Sequence, residues 1–104
     1  VNPAVLQALR ELMQDDYALL LDTFQGDADL RLRQLREALQ ADDMDAFRQA
    51  AHSFKGSCGN MGAAALEQAC LEAEAAGLAG DSAEAAKALT VIEQAFVRLK
   101  PLLH

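Results

Sequence analysis

Between Tyr17 and Leu39 the apolar residues return every three or four positions: Tyr17, Leu21, Phe24, Ala28, Leu32, Leu35 and Leu39. A strand repeats every two residues, so a three-four rhythm held this long has one economical reading, an amphipathic helix from Asp16 to Gln40. Gly26 sits inside it as a weak point or kink, costing about 1 kcal/mol relative to alanine. The same rhythm recurs downstream. Phe47, Ala51, Phe54, Cys58 and Met61 form the inward stripe of a helix predicted from Asp43 to about Asn60. Leu66, Ala69, Cys70 and Ala73 do so for one from Ala63 to Ala76, which Gly77 is expected to close. Ala85, Leu89, Ile92, Phe96, Leu99 and Leu103 mark a further helix, opened by Asp81 with Glu84 three residues on, in the manner of a capping box. Asn2 followed by Pro3 reads as an N-cap and first helical residue, starting a short helix to about Met13.

Composition agrees. Aromatics make up 5% of the 104 residues and tryptophan is absent. Alanine, leucine, glutamate, glutamine and arginine dominate, and runs of β-branched residues are missing. The expected fold is all-α: an antiparallel up-down four-helix bundle with an additional short N-terminal helix, built as one domain over residues 1–104. Gly62 suits the left-handed position between the helices on either side of it.

The formal net charge of −7 and the scatter of the nine basic residues argue against nucleic acid as a partner. No apolar run is long enough for a membrane span. The expected protein is a cytoplasmic monomer. The two cysteines, Cys58 and Cys70, lack neighbours of metal-ligand type. They read as reduced thiols packed as small apolar groups, with a disulfide left open.

Chemistry concentrates in the run Ala51-His52-Ser53-Phe54-Lys55-Gly56-Ser57-Cys58-Gly59-Asn60-Met61-Gly62. With each helical residue advancing about 100°, His52 falls roughly 125° from the centre of the inward stripe. It therefore faces solvent. Lys55 follows by three residues and Arg48 precedes by four, so both cations are placed to make a local positive site around the imidazole. A phosphoryl group would be held there by charge-assisted hydrogen bonds. Each cation taken alone reads equally as a solvated surface charge. Gly56 and Gly59 lie one and two turns beyond His52, and a glycine inside a helix costs about 0.5–1 kcal/mol relative to alanine. Bare backbone beside the ring clears space for a bulky partner. Gly59 alternatively marks tight packing or a frayed end. An imidazole with an unperturbed pKa near 6.5 is a competent nucleophile at neutral pH. Phosphoryl transfer asks mainly for positioning and charge stabilisation, so one nucleophile on a rigid helix can suffice.

The run His52-Ser53-Phe54-Lys55-Gly56-Ser57, ending in Asn60-Met61-Gly62, resembles the signature of the histidine-containing phosphotransfer (HPt) family, most like bacterial stand-alone members. The downstream pattern Leu66…Cys70…Glu72…Glu74…Gly77 resembles the helix that follows it, and the similarity runs from about Tyr17 to Leu99. The resemblance implies that His52 is the phospho-acceptor through Nε2, that Lys55 stabilises the phosphoryl group, and that Gly56 clears space for docking. Arg48, Ser57 and Gly59 belong to the same expected face. It implies a relay between receiver domains of a hybrid sensor kinase and a response regulator, in a carrier with no catalytic domain or cofactor of its own. Magnesium belongs to the receivers. Many family members carry glutamine where Glu74 stands. A carboxylate could accept the same hydrogen bond from Nδ1–H and fix the tautomer, or could be a solvated surface charge.

Three other readings compete. The chain is a phospho-acceptor domain excised from a larger histidine kinase, or a helical interaction module that never carries phosphate, or a bundle metallohydrolase. The last needs inward Glu-x-x-His pairs, and His52 has none upstream. His104, at the chain end, is assigned no role.

Overall fold

The computed structural model describes residues 2–13 and 16–103. Among the described residues five helices follow one another: α1 (Pro3–Met13), α2 (Tyr17–Gln40), α3 (Met44–Asn60), α4 (Ala64–Ala79) and α5 (Ser82–Leu99), with a 3-10 turn over Lys100–Leu102. Sequential pairs from α2 to α5 pack against each other and α2 meets α5, which closes an elongated bundle of 42 × 19 × 19 Å. Val1, Gln14, Asp15 and His104 lie outside the described residues.

The predicted stripes are the core. Phe47, Ala51, Phe54 and Cys58 are wholly buried, as are Leu35, Cys70, Ala73 and Ile92. Among the described residues no polar or charged side chain is buried, so the bundle is held by apolar contact and small-residue packing. Near the end of α2 the stripe ends on Ala38, with Leu39 only half-buried, because a 3.6-residue period places residue 38 after Leu35 on the inward side. Gly26 causes no break in α2.

Three reversals use one device. Asp42, Gly62 and Gly80 each adopt a left-handed backbone, with φ of 52°, 66° and 69°. After each, the next N–H donates to a carbonyl five residues back: Asp43 to Ala38, Ala63 to Cys58 and Asp81 to Ala76, at 2.9–3.0 Å. These bonds satisfy carbonyls that a helix end would otherwise leave unpaired. Asp43 and Asp81 then cap the next helices, their side chains accepting from the backbone N–H of Ala46 and Glu84. The expected stop at Gly77 is therefore corrected to Gly80. Gly77 is a buried residue inside α4, and its role is a helix crossing: a methyl built on it would lie 2.9 Å from the backbone nitrogen of Arg48.

At the α3–α4 reversal, the Asn2 N–H donates to the Gly62 carbonyl at 2.9 Å, while the Asn2 side chain caps α1 through the Ala4 N–H. The start of α1 thereby covers that end of the bundle. Cys58 and Cys70 are buried, free thiols. Their hydrogen bond, and burial after it, push the Cys58 thiol well above the ordinary range, so it stays protonated.

Candidate functional site

His52 projects from α3 on the side opposite its buried stripe, with 63% of its side chain exposed. Phe47, Ala51, Phe54 and Cys58 commit the other side of the helix to the core, and that commitment fixes where residue 52 points.

Across the α3–α4 groove stands Glu74. Leu66, Ala69, Cys70 and Ala73 bury one side of α4, and Glu74 follows on its edge, half-buried. Its carboxylate has both oxygens engaged. Oε2 lies 2.5 Å from His52 Nδ1, and Oε1 accepts from Lys55 Nζ at 2.7 Å. A carboxylate anion can only accept, so Nδ1 carries the ring proton and the neutral imidazole keeps its lone pair on Nε2. The Lys55 ammonium, with His52 adding to it, holds the Glu74 carboxyl below the usual range against the opposing effect of partial burial. Of the two readings left open by the sequence, the structure shows the hydrogen-bonded one.

The other expected residues divide. Gly56 is exposed, and a methyl built on it meets nothing within 4 Å, so nothing inside the molecule requires glycine there. Gly59 is also exposed, and a methyl there would meet only the end of the Glu67 side chain from α4, which can swing aside. The Arg48 guanidinium donates to Asp45 at 2.9 Å, one turn earlier on α3, in a largely solvent-exposed ion pair. Lys55 is the cation that Glu74 links to the His52 ring.

Ser57 donates to Asp27 Oδ2 of α2 at 2.8 Å, tying α3 to α2 one turn beyond Ser53. Asp27 also pairs with Arg31 at 3.4 Å. Neither Asp27 nor Glu67 stood out in the sequence, because each reaches a neighbouring helix and the spacing along its own helix carries no sign of it. The one available hint was the position of Asp27 immediately before the inward-facing Ala28.

The whole arrangement is a nucleophilic nitrogen facing solvent, its tautomer held from behind, with an ammonium close by and open backbone on the following turn. Comparison with known proteins decides what carries it. The Hpt domain family model matches residues 19–101.

The chain belongs to the Hpt family.

Among solved structures, the crystal structure of histidine-containing phosphotransfer protein B (HptB) from Pseudomonas aeruginosa PAO1 is 42% identical to this Hpt chain, with a TM-score of 0.95. The match covers 99% of this chain and 90% of that one. No curated protein matches. The five-helix fold is that of an Hpt bundle, and its members are phosphocarriers in phosphorelay signalling. Among the described residues no cluster of side chains is suited to a metal ion, and no helix is long and apolar enough to cross a membrane.

Proposed function

We propose that this Hpt protein accepts a phosphoryl group on Nε2 of His52 from one receiver domain and passes it to another. The observation that carries the reading is the Nδ1 contact with Glu74 at 2.5 Å, which leaves the Nε2 lone pair on an exposed ring.

In the forward step the Nε2 lone pair attacks the phosphorus of an aspartyl phosphate on the receiver. The Nε2–P bond forms, the acyl P–O bond breaks, and the aspartate leaves as a carboxylate. No proton has to move. Nδ1 keeps its hydrogen, and the positive charge that develops on the ring is balanced by Glu74. Lys55 offers its ammonium to the incoming phosphoryl oxygens. Gly56 lets the receiver come close to the ring. Ser57 ties α3 to α2 through Asp27, so the docking face, with Gly59 on it, is presented on a rigid support.

Magnesium is supplied by the receiver, and the carrier needs no cofactor. The working unit is a monomer in the cytoplasm, with a hybrid sensor kinase and a response regulator supplying the two receivers.

The test mixes purified protein with a radiolabelled phospho-receiver and follows the label. The native chain should acquire it within the lifetime of the donor, and His52→Gln should stay dark. Label on the His52→Gln protein at the native rate would sink the assignment.

A further inference from the structure

Glu74 uses both of its oxygens on the site, and the second contact has a consequence for phosphorylation. Oε1 accepts from Lys55 Nζ at 2.7 Å while Oε2 is occupied by His52 Nδ1. The ammonium that should serve a phosphoryl group is thus already held, in the empty protein, by a carboxylate from another helix.

A phosphoryl group on Nε2 brings about −1.5 to −2 of charge to the far side of the ring from Glu74. Lys55, three residues after His52, can reach either anion. Its three N–H donors could bridge the two, but one ammonium charge would then be shared between two anions that repel. The groups therefore compete for a single cation.

We infer that Glu74 is a positioning residue that holds Lys55 in the unphosphorylated protein and releases it to the phosphoryl group on transfer, while keeping its bond to Nδ1. This rests on His52 being the acceptor. The Lys55–Glu74 ion pair is then broken each time the carrier is loaded and remade each time it discharges. The exchange lowers the net benefit of Lys55 to the loaded state and favours onward transfer.

Lys55→Ala, Glu74→Gln and the double variant test this by a double-mutant cycle, read as the equilibrium ratio of label on the carrier to label on the receiver. Glutamine is isosteric and still accepts from Nδ1–H, but it binds an ammonium weakly. Lys55→Ala should therefore lower the labelled fraction more in the Glu74→Gln background than in the native one, by about threefold to tenfold. An equal or smaller loss in that background overturns the exchange. A purely structural role for Glu74 would lower all labelling and leave the effect of Lys55→Ala unchanged. Circular dichroism melts check folding, and Lys55→Met replaces Lys55→Ala should the smaller side chain disturb α3. Failure of the underlying reading is separate: it appears as label on His52→Gln, which removes the acceptor and the exchange with it.

Discussion

Replacing Gly77 by alanine should loosen the molecule at the point where α3 and α4 come closest. A methyl there would lie 2.9 Å from both the backbone nitrogen and Cβ of Arg48, and 3.0 Å from its Cα. Non-bonded carbons settle at about 3.5–4.0 Å, so the helices must part by roughly half an ångström or more. Backbone atoms, unlike the end of a long side chain, cannot rotate out of the way. Overpacking of this kind costs about 1–3 kcal/mol. Alanine returns up to about 1 kcal/mol through its better helix propensity. Contacts to backbone nitrogen, Cα and Cβ at once put this site at the upper end of the overpacking range, about 2–3 kcal/mol. The net expectation is a loss of about 1–2 kcal/mol, or roughly 4–16 °C in Tm for a domain of this size. Function should suffer too. Gly77 lies one turn after Glu74, and Arg48 lies one turn before His52, so the strain falls on the two helices that the His52–Glu74 contact spans. Urea and thermal unfolding measure the first effect, and the rate of label uptake from a phospho-receiver measures the second. A Gly77→Ala protein as stable as the native one would refute the close-crossing argument.

Gly56 should respond in the opposite sense, since nothing lies within 4 Å of a methyl built there. Gly56→Ala should raise stability by about 0.5–1 kcal/mol, whereas Gly56→Arg should keep the native circular dichroism spectrum and slow transfer at least about tenfold by obstructing the receiver. Native transfer by the arginine variant would show that the open backbone is not needed. Glu74 should make the protein sensitive to acid. Its folded carboxyl titrates below the ordinary value of 4.5, chiefly through the hydrogen bond from Lys55, so its contribution is fully present above pH 4.5 and is lost as pH falls through the folded value. The stability margin of the native protein over Glu74→Gln, followed by urea unfolding, should be constant at neutral pH and shrink below pH 4.5. A margin that persists undiminished in acid would argue against the ion pair.

What could be read from the sequence was whatever depends on one helix at a time. The inward stripes and the caps at Asp43 and Asp81 follow from helical period and local hydrogen bonding, and the exposure of His52 follows from the same geometry. The misplacements share a cause. Gly77 looked like a stop because glycine commonly ends helices, but its neighbour is Arg48, which belongs to a different helix. Spacing brings Arg48 to the face of His52, but spacing does not say that its guanidinium pairs with Asp45. Gly59 lies under Glu67 for a reason no periodicity reports. The role of Glu74 needed the distance across α3 and α4, whereas its identity as an odd residue for its position was legible from the resemblance.

The short reversals at Asp42, Gly62 and Gly80 also shape how the chain reaches this state. Each joins helices that are neighbours both in sequence and in space, so most native contacts form between nearby parts of the chain. Loop closure is then inexpensive, and folding should fall in the microsecond-to-millisecond range of helical bundles. His52, Lys55 and Glu74 all lie within one such hairpin, α3 with α4, folded about the left-handed Gly62. His52, Lys55 and Glu74 thus need only the α3–α4 pairing to come together, and not the closure of α2 on α5.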